Sequence, residues 1–260
     1  MSSAPLRVTE NPMKLLVIVR NPKNPSFRKR VEPYLDMLKE RGVDCHLEIL
    51  TGKSWSECRA LYRSAQNYDG VWLQKKAMNF WDGRLLRKNA RRLIFDIDDA
   101  TMFRPLSIDA KPNRNRNRRV GRAIRMSDLA IVGNEVLAEH AYGYGANRVE
   151  IIPTGLATSR YIPKVVEGNP STIKLVWIGS SSTLKLLRQF ESTLRALGEA
   201  MPNLVLQIIA DADLHIPSLT TESLAWSHDH EAEMLAGADI GIAPMLDTPF
   251  TRGKGAFKVL

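Results

Sequence analysis

The strongest constraint on this fold is an alternation of short, continuous apolar runs with stretches of helical periodicity. Lys14-Leu15-Leu16-Val17-Ile18-Val19-Arg20 opens the series. A run without polar alternation suits a strand buried on both faces, which requires helices on both sides of its sheet. Behind the loop at 21–26 comes a helical stretch with Val31, Leu35 and Leu38 on one face, stopped by Gly42. Pro33 should kink that helix or mark its true start. The alternation continues with a strand at 45–50 and a helix at 54–65, where Ser54 and Glu57 have capping-box spacing. A strand at 70–74, a basic helix at 85–91, strands at 92–98 and 128–132, a helix at 135–142 and a strand at 149–153 complete the first half. Such an order predicts an α/β parallel sheet that binds ligands at the carboxyl ends of its strands.

Residues 155–171 carry Gly155, Pro163 and Pro170 and no apolar periodicity, which marks an interdomain linker. The theme then restarts with a strand at 173–178, a turn at 179–183, a helix at 184–200 and a strand at 204–210, followed by a loop and a terminal stretch from Trp226. Two domains are therefore expected, 1–154 and 172–260. The second should be incomplete, because the last residues enter a helix without a stop signal. No apolar run reaches the ~20 residues of a membrane span, and the N-terminus has no signal-peptide core, so a cytoplasmic chain is expected. Cys45 and Cys58 lack ligand spacing and are expected to be reduced packing residues. The five histidines show no metal spacing beyond His228-x-His230, whose members would point apart on a helix.

Two stretches suit an anion. Gly179-Ser180-Ser181-Ser182-Thr183 joins a strand to a helix: glycine permits close approach, serines donate, and the helix start favours negative charge, with Lys185 nearby. In the terminal stretch a small-residue strand at 238–244 leads into the basic loop Arg252-Gly253-Lys254-Gly255 and a helix opening at Ala256-Phe257-Lys258. Free backbone N–H groups and a positive dipole end would converge there. Between them lie Trp226-Ser227, Glu231 and Glu233, and a carboxylate can accept from two paired hydroxyls at once.

The segment ADIGIAP, the D-x-P-F that follows and GKGAFKVL, together with WIGSSST, resemble the donor-binding segments of family 4 GT-B glycosyltransferases. The resemblance implies two Rossmann-like domains facing a cleft and transfer of sugar from a nucleotide-sugar donor to an acceptor hydroxyl. It further implies retained configuration, no metal and no cofactor besides the donor substrate, in polysaccharide or glycolipid synthesis. The donor residues carried over are Gly179, Ser180, Ser181, Lys185, Trp226, Ser227, Glu231, Arg252, Lys254 and Lys258. The family's pair of glutamates eight positions apart is not matched: Gly253 stands near the first place, and the second falls past Leu260.

Leu93-Ile94-Phe95-Asp96-Ile97-Asp98-Asp99-Ala100-Thr101 sets three carboxylates at a strand end, where they repel unless a cation or hydroxyls relieve them. One reading resembles the haloacid-dehalogenase phosphatases, with Asp96 as nucleophile and Asp98 as acid/base, although Ala100 replaces their usual threonine. The favoured reading resembles an Asp-x-Asp-Asp subgroup of the glycosyltransferases, in which Asp98 and Asp99 join Lys258 in catalysis. The net charge of +9 implies an acidic partner. The run Arg114-Asn115-Arg116-Asn117-Arg118-Arg119, with Arg122 and Arg125, is either a solvated helix face or a contact for a peripheral anionic membrane or nucleic acid. Nucleic acid is the weaker expectation, because no aromatic residues interleave the arginines. A non-catalytic basic binding protein is the remaining alternative; glycan, lipid-linked and other hydroxyl acceptors all remain open.

Overall fold

The computed structural model describes residues 12–104, 111–163, 171–255 and 257. The chain divides into two compact units, residues 1–155 with 248–255, and residues 156–247 with 256–260. The first unit opens with β1 (Met13–Val19), α1 (Pro25–Arg30), α2 (Glu32–Glu40) and β2 (Val43–Ile49). Pro33 marks a true start, since α2 begins one residue before it and a proline in a first turn costs no hydrogen bond. Next come α3 (Trp55–Ser64), β3 (Gly70–Gln74), α4 (Phe80–Asn89), β4 (Leu93–Ile97), α5 (Arg114–Met126), β5 (Leu129–Val132), α6 (Glu135–Gly143) and β6 (Val149–Ile151). Both bonds of the Ser54–Glu57 capping box form at α3.

Six parallel strands pair in the order β2-β1-β3-β4-β5-β6. The order reverses between β1 and β3, the switch point where loops at the carboxyl edge part and leave room for a ligand. Alternate residues of β1 feed two cores. Leu15, Val17 and Val19 pack with Phe27 and Val31 of the α1 region, and Leu16 and Ile18 pack with Leu61, Leu86, Ile124 and Leu137 from α3 to α6.

The second unit contains β7 (Ile173–Ile178), α7 (Ser181–Leu187), α8 (Glu191–Ala200), β8 (Leu204–Ala210), β9 (Thr220–Ala225), α9 (Glu231–Ala236) and β10 (Ile240–Gly241), in a parallel sheet of order β10-β7-β8-β9. The long helix expected over 184–200 is two helices with a 3-10 turn at Arg188–Phe190. The strand β9 was expected to be loop: its Thr-Thr-Glu-Ser-Leu-Ala sequence has no apolar pattern because it is a largely exposed edge strand. Residues 248–255 group with the first unit. They hold a helical turn, α10 (Pro249–Arg252), that Thr248 caps.

An unplanned regularity fixes the amino ends of both sheets. Asp69, Asp128 and Asp239 each precede a strand, and each accepts the backbone N–H at or just inside the start of the neighbouring strand: Lys14 at 2.9 Å, Leu93 at 2.7 Å and Lys174 at 2.8 Å. Each aspartate's own N–H returns the bond to the same residue's carbonyl.

Candidate functional site

The carboxyl edge of the first sheet collects the aspartates of β4 and its following turn. Asp96 is 1% exposed and faces the α1 side of the sheet, paired in register with Gln74. Arg30, the last residue of α1, donates to it through Nη2 at 2.6 Å and Nε at 3.1 Å. Arg30 Nη1 donates to the Ile152 carbonyl at 2.7 Å and to Thr154 Oγ1 at 3.2 Å, so one guanidinium ties three elements. Burial lifts the Asp96 carboxyl above its ordinary range while the guanidinium pulls it back. Both carboxylate oxygens are engaged by Arg30 below the surface, which removes the basis for the phosphatase reading: a nucleophile must reach substrate.

Asp98 and Asp99 lie closer to solvent and share Lys75. Its ammonium stands 2.8 Å from Asp98 Oδ1 and donates to Asp99 Oδ2 at 2.5 Å and Ser26 Oγ at 2.9 Å. Lys75 follows β3 directly and adopts φ 53°, a left-handed conformation that costs a side-chain-bearing residue energy and is held here by a backbone bond to Asp96 O at 2.8 Å. Asp99 Oδ1 also faces Lys254 Nζ at 3.4 Å. Burial works to raise the Asp99 carboxyl, but Lys75 and then Lys254 hold it below its usual range. The repulsion expected among three carboxylates is thus relieved by three side-chain cations.

Lys254 arrives on a fitted segment. A Cβ on Gly253 would stand 2.5 Å from the Ala100 Cβ, so glycine is needed for the chain to lie against the Asp-Asp-Ala turn. Asn134, which caps α6, donates to the carbonyls of Arg252 at 3.3 Å and Lys254 at 3.1 Å. Lys254 Nζ also sits 5.0 Å from the centre of the Phe250 ring. Arg252 and Lys254, expected with the donor residues, thus group with Asp98 and Asp99 in the first unit. Lys258 lies outside the described residues.

In the second unit, the loops after β7, β8 and β9 lie at the carboxyl edge of the sheet. Gly179 follows β7 with its N–H on Ile209 O, and a Cβ there would stand 2.3 Å from the Trp177 ring. Ser180 caps α7 with Thr183, its N–H donating to Thr183 Oγ1 at 3.0 Å. The Ser181 N–H and hydroxyl both donate to Asp211, which follows β8. These bonds hold the exposed Asp211 carboxyl below its usual range. A carboxylate therefore already sits at the start of α7. Lys185 is exposed on that helix.

Trp226 follows β9, its indole N–H donating to Glu231 Oε2 at 2.7 Å, and Tyr161 donates its hydroxyl to Oε1 at 2.7 Å. Glu231 is buried with both oxygens used, and the Tyr161 phenol is pushed up to about 12 by burial and by that bond. Arg160 donates to the His228 carbonyl at 2.9 Å, and Ser227 is half-buried between these pairs. Arg160 and Tyr161 come from the stretch that reads as linker, which is why they were missed. Arg30 and Lys75 were missed for a different reason: only the pairing of distant strands brings them to the aspartates.

Two parallel α/β sheets of this order and size are the fold of the GT-B glycosyltransferases. Among solved structures of that fold is HepE of Anabaena with UDP-glucose, 13% identical, TM-score 0.57, matching 88% of this chain and 73% of that one. The sucrose-phosphate synthase of Thermosynechococcus elongatus is 12% identical, TM-score 0.65, over 92% of this chain and 77% of that one. An α-glucosyltransferase solved with UDP and a mismatched 13-mer DNA is 12% identical, TM-score 0.52, over 90% and 71%. No protein-family model and no curated protein matches the sequence.

Proposed function

We propose that this protein transfers a sugar from a nucleoside-diphosphate sugar to an acceptor hydroxyl. The observation that carries the proposal is the pair of parallel sheets shared with glycosyltransferases, two of them solved with UDP or UDP-glucose. In this reading the Trp226 ring offers a stacking face for the base, and Glu231 orients the indole through its N–H. The loop at Gly179–Ser181 serves the diphosphate, which must displace Asp211 or bind beside it, and Lys185 adds positive charge. Departure of a nucleoside diphosphate needs positive groups aimed at the developing charge, a role for Arg252, Lys254 and Lys258. Asp98 and Asp99 serve the acceptor hydroxyls, with Lys75 fixing their geometry. By the family 4 resemblance the anomeric configuration is retained, no metal takes part and the product is a polysaccharide or glycolipid. A cytoplasmic location belongs to the same reading; among the described residues no helix is long and apolar enough to cross a membrane.

The test is product analysis. The chain is incubated with UDP-, GDP-, ADP- and CDP-sugars and a mixed panel of hydroxyl acceptors, and products are weighed by mass spectrometry. One donor should yield a glycosylated product, and Asp99→Asn should lower the yield at least tenfold. Hydrolysis of a phosphate monoester that Asp96→Asn abolishes, with no glycosylated product, would instead restore the phosphatase reading.

A further inference from the structure

The basic run forms α5, with Val120, Ala123 and Ile124 buried and most of its arginines at the surface. Arg118, Arg122 and Arg125 recur at a spacing that sets them on one helix face, and with Asn117, Gly121 and Tyr144 they line a cavity of ≈ 320 Å³. Glycine at 121 lets Tyr144 close against the helix: the Tyr144 ring lies 2.7 Å from where a Cβ would be. Tyr144 is held by its hydroxyl donating to Asn117 Oδ1 and by Arg125 Nε donating to its carbonyl at 3.1 Å.

Two of the guanidiniums are preorganised. Arg122 donates to the Met78 carbonyl at 3.1 Å, stacks 5.6 Å from the centre of the Phe80 ring, and its stem crosses α4 at Gly83, where a Cβ would meet its Cδ at 3.2 Å. Arg125 is fixed by the Tyr144 bond. Among the described residues no carboxylate forms an ion pair with any of the three. Three positive forks around one cavity, with no paired carboxylate among the described residues, repel one another, and an anion with several acceptor oxygens would relieve them.

We propose that this cavity is a binding site for a phosphate-bearing anion, separate from the donor residues of the second unit. Guanidinium forks match phosphate oxygens in pairs, so three of them around one opening suit a group that carries several phosphate oxygens. The same chemistry is offered by a free phosphorylated solute and by the headgroup of an anionic phospholipid.

The probe is inorganic pyrophosphate, titrated calorimetrically into the whole chain. Arg118→Gln/Arg125→Gln should weaken its binding at least tenfold, while Lys185→Gln, beside the loop proposed for the donor diphosphate, and Arg91→Gln, a surface arginine outside α5 that pairs with Asp69, should change it less than twofold. Arg118→Lys, which keeps the charge and loses the fork, should fall between. Circular dichroism melts establish that each variant is folded. Vesicles of phosphatidylglycerol in phosphatidylcholine then distinguish the sources: competition with pyrophosphate for the wild-type cavity assigns a lipid headgroup, and its absence assigns a free solute. Equal losses in Arg91→Gln would overturn the proposal by reducing it to net charge. So would unchanged affinity in the double variant, or binding of an oligonucleotide that pyrophosphate does not displace.

Discussion

Asp96 and Arg30 form an ion pair taken almost wholly out of water, with side-chain exposures of 1% and 4%. Such a pair contributes little net stability against an apolar replacement, but removal of one partner strands a buried charge. Arg30→Ala is expected to cost about 3–5 kcal/mol in urea denaturation, and Arg30→Met/Asp96→Leu to recover most of it. Asp99 sets a pH dependence whose sign follows from its lowered carboxyl pKa. Its contribution to stability is present above the unfolded-state value of about 4 and is lost as pH falls through the lower folded-state value. Urea midpoints for wild type and Asp99→Asn should therefore converge between pH 7 and about pH 2. A gap that stays constant with pH would count against the Lys75–Asp99–Lys254 arrangement.

Between single residues and the whole chain, the strand-initiating aspartates show how local sequence sets sheet register. Asp128 accepts from Leu93 N and from Arg87 Nη1 at 2.8 Å while half-exposed, so Asp128→Ala should cost roughly 1–2 kcal/mol, with solvent trimming the charged part. Asp128→Asn, which keeps an acceptor, should cost less in the same denaturation assay. Gly198 on α8 stands where a Cβ would meet the Ser218 carbonyl oxygen at 2.1 Å. Gly198→Ala should therefore destabilise the second unit by about 1–3 kcal/mol, as overpacking against backbone does. The strands β1, β3 and β4 were legible because burial on both faces demands unbroken apolar runs, and α3 because its capping box is local. The edge strand β9 was not legible, since exposure erases the apolar signal. The aspartates of the first site announced themselves by crowding on one strand end. Their partners Arg30 and Lys75 lie 66 and 24 positions from Asp96 and Asp99, and only sheet topology could pair them.

At the scale of the molecule, the account rests on two units of one architecture with different equipment at their carboxyl edges. The first gathers carboxylates balanced by Arg30, Lys75 and Lys254; the second gathers Gly179–Ser181, Asp211 and the Trp226–Glu231–Tyr161 triad. Under the proposed function, the second unit's set serves the base and diphosphate, and Asp98 and Asp99 of the first serve the acceptor hydroxyls. The most direct check is calorimetric titration of UDP-, GDP-, ADP- and CDP-sugars into the chain and into Trp226→Ala. The account predicts that one base is preferred, binds with one-to-one stoichiometry and loses at least tenfold in affinity in the variant. No binding by any of the four sugars, or binding indifferent to both the base and Trp226, would contradict it.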